Sequence, residues 1–494
     1  YFLFEEALTV LFLTVVLGAL LAGIILVVPR LIKKPLSSPR CVALWCTASV
    51  QILVATAILW SLFPRYVDKQ QLISDLDHAQ TVMEDIHPDL YANIDKDQFQ
   101  IALSGIKAGL PERVSEVECL KTFHRMLALI KDGHTCVAME SYTKRGAILF
   151  RQEPPYMFHI EGDKIFVQKG YYARNQIPVG SEIVRINGKP AAACLSEIEK
   201  LISFETTAYR NSVLSLPFVW GIWNDYGDFE YSYITPQNEE VTEKSTGKLF
   251  ANLSLIKDVI GVKNSFKVIE ENIALLDLRA FEGTEEFEAL LENSFSKIKE
   301  KGISDLIIDI RHNHGGATSL SEELMQYIAR SEFRSFDLSL VKISNDLHAR
   351  ITVNIEKYPI GTLVDEELDM VPLRDNSLRF SGRVYVLTSG SCFSTSLDFP
   401  AMVRCYDVGL LIGTETGGRT ASFGSPQGVA MPATGVEIMV SRKQFVNPCD
   451  TQSESGLIPD YLVENSITDD INQVDRTMEF VIELIGKKRG VINP

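Results

Sequence analysis

Two apolar runs open the chain, Ala7 to Val28 with 22 residues and Cys41 to Pro64 with 24, neither holding a charged residue. Each is long enough to cross a bilayer core of about 30 Å as a helix, so residues 1–64 are expected to be a membrane anchor of two helices. Beyond them the pattern turns amphipathic. A 3.6-residue period runs from Val67 to Leu110, broken at His87-Pro-Asp-Leu-Tyr91, and again from Ser115 to Ile130, which predicts a small helical cap over 65–150. From Pro155 the period shortens to two. Lys164 to Lys169, the Gly and Asn-Gly turns of 178–191, a helix from Leu195 to Ile202 and the aromatic stretch Trp220 to Ser245 predict a β-rich region over 151–265.

The last third, 266–494, reads as alternating buried strands and crossover helices. Strands are predicted at Ile273–Leu278, Asp305–Ile310, Arg383–Leu387 and Val408–Gly413, and helices at Glu285–Lys301, Ser319–Ala329 and Ser394–Arg404. Near-continuous apolar strands joined by helices imply an α/β domain with a parallel sheet. An amphipathic helix, Ile471 to Lys487, closes the chain.

Charge settles orientation and excludes one class of partner. The connection 29–40 carries Arg30, Lys33, Lys34 and Arg40 and no acid, so by the positive-inside bias it faces the cytoplasm and the remainder of the chain lies outside. With 48 Lys+Arg against 64 Asp+Glu the protein lacks the cationic surface that nucleic acid requires. Of eight cysteines, six fall beyond the predicted spans. They show no metal-ligand spacing, and an oxidising compartment would permit 15 full pairings, among which sequence does not choose. Tyr1 stands where an initiator Met would, so residues upstream are expected.

Four stretches could carry chemistry. In 384–399 an apolar strand and a small-residue turn place Ser394 at a helix start, where free N–H groups and the helix dipole would stabilise an oxyanion; a serine there also commonly just caps the helix. Cys392, two residues earlier, is a rival nucleophile if its pKa is lowered. In 306–319 a strand ends in Arg-His-Asn-His-Gly-Gly, whose glycines suit either an anion-binding nest or a plain turn. Lys131-Asp-Gly-His-Thr135 puts His134 after a helix, as a structural residue or a general base. Glu454 lies in a polar loop.

In this order the stretches resemble the tail-specific protease and tricorn family of serine peptidases, the resemblance covering most of the chain beyond the spans. The resemblance implies a domain like those of the ClpP and crotonase folds, no metal or cofactor, and a peptide or unfolded protein as substrate. It further implies Ser394 as nucleophile and the Gly315 and Thr395 N–H groups as oxyanion hole. The tail-specific branch places a lysine base where this chain has Arg419, which cannot accept a proton at working pH. The tricorn-like branch uses a histidine instead, matched by His134, oriented by a serine and by a glutamate matched by Glu454. The serine position falls on Gly133, leaving Thr135 as a possible substitute. Residues 178–190 resemble the core of a PDZ domain, which binds peptides by strand addition. The function expected is a membrane-anchored extracytoplasmic endopeptidase. The alternatives are an inactive ligand- or peptide-binding relative and, less in keeping with a site outside the cytoplasm, an acyl-thioester enzyme of the crotonase type.

Overall fold

A computed structural model describes residues 66–143, 152–170, 177–245, 248–249, 263–350, 358–449 and 455–492. The two predicted spans, the loop 29–40 and Glu454 lie outside these residues; among those described, no helix is long and apolar enough to cross a membrane.

The cap is built of three helices, α1 (Lys69–Ile86), α2 (Lys96–Ala108) and α3 (Glu116–Ala128), and each starts on a capping residue. Asp68, Asp95 and Ser115 accept first-turn N–H groups and so satisfy donors that helix geometry leaves unpaired. Its core does not close on itself. Leu76, Phe99 and Phe123 pack together with Met431, Ile438 and Val440 from far along the chain. Strand Cys136–Val137 pairs with Glu437–Val440, which stitches the turn carrying His134 to the C-terminal half.

Strands Tyr156–Glu161, Lys164–Gly170, Glu182–Ile186, Phe229–Ile234 and Glu240–Ser245 form an antiparallel sheet, closed by helix Ala191–Ile198. The expectation of strand from Trp220 onward is corrected here. Pro217–Trp223 is a helix, with Pro217 at its first turn and Trp220 fully buried, and strand begins only at Phe229. Proline at a helix start is pre-organised, and one turn of aromatic residues satisfies burial in either conformation.

The α/β domain holds a six-stranded sheet in sequential order: β1 (Ser265–Glu270), β2 (Ile273–Asp277), β3 (Asp305–Asp309), β4 (Arg383–Thr388), β5 (Gly409–Gly413) and β6 (Tyr461–Leu462). All neighbours are parallel except β1 and β2. Strand period two divides its faces. Leu276, Ile308, Val386 and Leu411 pack on α4 (Thr284–Lys301), α5 (Thr318–Ile328) and α6 (Thr395–Cys405), whereas Leu275, Ile307, Tyr385 and Ile412 face Val481 and Ile485 of α7 (Arg476–Ile492). Both faces are covered, which is why these strands read as unbroken apolar runs. The closing helix starts later than its periodicity suggests, because Ser466 caps a separate turn, Ile467–Ile471, before it. A disulfide joins Cys405, the last residue of α6, to Cys449; Cys136, Cys194 and Cys392 are free thiols.

Candidate active site

Parallel pairing of β3 with β4 brings Asp309 level with Leu387, so the loops leaving the two strands emerge side by side. In open α/β sheets that carboxyl edge is where ligands bind. The β3 loop is tied down by Arg311, which pairs with Asp309 and Asp475 at 2.7 Å each. Ser389 Oγ and Cys392 Sγ donate to the carbonyls of Arg311 and Ile310, and Thr395 Oγ1 donates to Gly316 O at 2.7 Å, which clamps the two loops together. A Cβ on Gly315 would lie 2.8 Å from Ser394 Cβ, and one on Gly316 only 2.1 Å from Phe281 O. Their φ values of +114° and +138° suit glycine alone.

Ser394 occupies the N-cap position of α6 with φ 56° and ψ −136°, yet its side chain makes no capping hydrogen bond. A serine that does not cap, held in a backbone region that costs an L residue about 1–3 kcal/mol, leaves its hydroxyl uncommitted. Cys392 does not rival it. Its thiol is buried, bonded to Ile310 O at 3.1 Å, and burial pushes it up to about 11.

Ser394 and His134, 260 residues apart in sequence, line one cavity of about 540 Å³. No hydrogen bond links them at rest. His134 is half-buried; its Nδ1 is enclosed and lacks a partner. Burial lowers its pKa, partly offset by the Asp132 charge and the Phe423 carbonyl. The Phe393 ring lies 4.5 Å from that of His134 and stacks on its other side against Tyr209, again at 4.5 Å.

The N–H groups expected to form an oxyanion hole differ in availability. The N–H of Thr395, first in α6, and that of Gly316 bond to no described residue and line the cavity, whereas the Gly315 N–H is already donated to Asn313 Oδ1 at 2.8 Å. Gly315 therefore needs Asn313 to release it before serving as donor; Gly316 does not. Thr135 does not reach His134 through its hydroxyl, which donates to Asp132 Oδ2 at 2.5 Å. A serine at 133 would have to displace the Phe393 ring, since a Cβ there would meet Phe393 Cζ at 2.6 Å.

Asp132 is the residue that sequence reasoning passed over, although it sits inside the quoted Asp-Gly-His-Thr. Fully buried, it accepts His134 N–H at 3.0 Å, Ser441 Oγ at 2.6 Å, Thr135 Oγ1, and His87 Nε2 at 3.2 Å. His87 Nδ1 accepts Asp89 N–H, which leaves its Nε2 as the donor. Burial alone would raise the Asp132 pKa, but the His87 bond, the neighbouring histidines and Ser441 outweigh it and hold the carboxylate well below its usual range. The signal was the pairing of two motifs: His87 opens His-Pro-Asp-Leu-Tyr, and Asp132 opens the turn it supports.

Arg419 donates its backbone N–H to Glu205 Oε2 at 2.9 Å and its guanidinium to Asn93 at 3.0 Å. It braces the cap rather than facing the cavity. The cavity walls carry Glu322, Glu366, Asp369 and Asp398 beside Phe336 and Phe445.

Residues 272–463 match the sequence model of peptidase family S41. No curated protein is similar enough in sequence to match the chain. Among solved structures, mature CPAF is 13% identical with a TM-score of 0.62, over 84% of this chain and 96% of that one. Its complex with lactacystin is 14% identical with a TM-score of 0.60, over 84% and 97%. The photosystem II D1 C-terminal processing protease is 14% identical with a TM-score of 0.43, over 80% and 93%. At these identities the likeness to CPAF is one of fold.

Proposed function

We propose that this chain, a member of peptidase family S41 and a serine-type peptidase, is a membrane-anchored endopeptidase that cuts unstructured peptides or protein tails outside the cytoplasm, with Ser394 as nucleophile and His134 as base. The observation that carries the reading is the shared cavity: an uncapped serine hydroxyl, an imidazole kept neutral by burial, and free N–H groups converge on one space. Apo sites commonly hold catalytic hydrogen bonds long and tighten them on substrate. His134 would take the Ser394 proton as Oγ bonds to the scissile carbonyl carbon. The Thr395 N–H and a glycine N–H of the 315–316 turn would receive the oxyanion. Collapse would transfer the proton to the leaving amine and leave an acyl-enzyme, which water, deprotonated by His134, would release.

Two charge-free runs of 22 and 24 residues around a basic loop support the anchor, and the Cys405–Cys449 disulfide agrees with an oxidising compartment. One observation favours a second reading, of an inactive peptide-binding relative: Ser394 and His134 are unbonded at rest. Incubating an unstructured peptide with the wild type and with Ser394→Ala separates the two. Cleavage by the wild type alone supports the peptidase; binding without cleavage by both supports the other.

A further inference from the structure

One turn along α6 from Ser394, Asp398 donates its N–H to the Ser394 carbonyl at 3.2 Å and lines the same cavity. It is only 9% exposed. Its Oδ1 accepts from Asn447 Nδ2 at 2.9 Å, and Asn447, itself buried, is fixed by its own N–H on the Thr420 carbonyl. Oδ2 has no donor among the described residues. A carboxylate so placed is costly unless a donor or a cation reaches it. Charge on the walls chooses between these. Of the four carboxylates there, Glu366 is taken by Lys443 at 2.6 Å, whereas Glu322, Asp369 and Asp398 pair with no cation among the described residues. Arg334, which also lines the cavity, is turned to Asp337 at 2.6 Å. Phe336 and Phe445, stacked with their rings 4.5 Å apart, supply an apolar flank. That flank reaches the imidazole: a Cβ on Gly424 would lie 3.3 Å from Phe445 Cε2 and 3.6 Å from His134 Cε1.

We propose that this cavity is a specificity pocket for a lysine or arginine side chain of the substrate, its charged head received by Asp398 Oδ2 within the field of Glu322 and Asp369, and its aliphatic stem lying along Phe336 and Phe445. The assignment rests on Ser394 being the nucleophile of a peptidase, and it names the substrate class of that site. Long cationic side chains combine an apolar stem with a polar head, which matches an aromatic flank beside a carboxylate. A neutral amide would satisfy Oδ2 but leave the charge of Glu322 and Asp369 unanswered. An acidic side chain would meet three like charges and be rejected. Burial pushes the Asp398 carboxyl up to about 7, the Asn447 bond acting against it. A cation seated beside it favours the ionised form, so binding of the cation and ionisation of the carboxyl reinforce each other.

The test incubates the full-length protein with a mixture of unstructured peptides at about pH 8.5, where the carboxyl is ionised and lysine is still charged, and reads the cut bonds by mass spectrometry. Lys or Arg should dominate one fixed position beside the cut bond. Two fluorogenic peptides that differ only there, Lys against Met, should differ in kcat/KM by at least about tenfold, the size of one charge-assisted hydrogen bond. Asp398→Asn should bring that ratio close to one. The ratio is the readout because general damage to the fold lowers both rates together. Thermal unfolding shows whether Asp398→Asn folds; if it does not, Glu322→Gln takes its place and should lower the ratio by a smaller factor. Wild type that cuts peptides without regard to charge, or a ratio unmoved in the folded variant, overturns the proposal alone. Wild type that cuts no peptide overturns the peptidase reading, and the proposal with it.

Discussion

The Phe393 ring lies 4.5 Å from the His134 ring, so the residue before Ser394 packs on the imidazole. Tyr209 backs it from the other side, 15° from coplanar. The sandwich is possible because position 133 has no side chain, a Cβ there falling 2.6 Å from Phe393 Cζ. Gly133→Ser, which restores the serine of the tricorn-like pattern, should therefore lower the rate of Ser394 labelling by a fluorophosphonate at least about tenfold, because displaced catalytic groups lose about 100-fold per ångström. Stopped labelling time courses at equal protein concentration measure it.

Ser394→Gly and Ser394→Ala should part company in stability. Both remove the hydroxyl, but only glycine is at ease at φ 56° and ψ −136°. The glycine variant should gain about 1–3 kcal/mol over the alanine variant in denaturant unfolding, while both lose cleavage.

Asp132 ties His87 of the cap to the His134 turn and to Ser441. Asp132→Ala should cost about 3–5 kcal/mol at pH 7, the range for breaking a buried charged partnership. The sign follows from the depressed pKa of the folded carboxylate. Its contribution is fully present above the unfolded value of about 3.9 and is lost as pH falls through the lower folded value. The stability gap between wild type and variant should thus hold at neutral pH and narrow in strong acid, as urea titrations at a series of pH values would record.

A base must be unprotonated to act, and burial lowers the pKa of His134. The acid limb of wild-type kcat/KM should accordingly have its midpoint below the ordinary histidine value of about 6.5. A pH profile with a neutral peptide reads it directly.

The sheet was legible in sequence because doubly buried strands leave unbroken apolar runs: Asp305–Asp309, Arg383–Thr388 and Gly409–Gly413 lie where their hydropathy puts them. Helix starts were legible from caps such as Ser115. Trp220 was misplaced because one buried aromatic turn has no distinctive period. In the site, Ser394 stood out only through its resemblance to a known pattern, since a serine at a helix start ordinarily caps. Glu205 gave no signal, because its contacts with Gly133 and Arg419 span 72 and 214 residues of chain. Asp132 was hidden similarly, its partner His87 lying 45 residues away.

The central claim, that Ser394 is the nucleophile, is tested most directly by treating the intact protein with a fluorophosphonate and mapping the modified residue by mass spectrometry. Label on Ser394 in the wild type, absent from Ser394→Ala, His134→Ala slowed by orders of magnitude, and Cys392 unmodified are the results expected. Label at another residue, or undiminished peptide cleavage by Ser394→Ala, would contradict it.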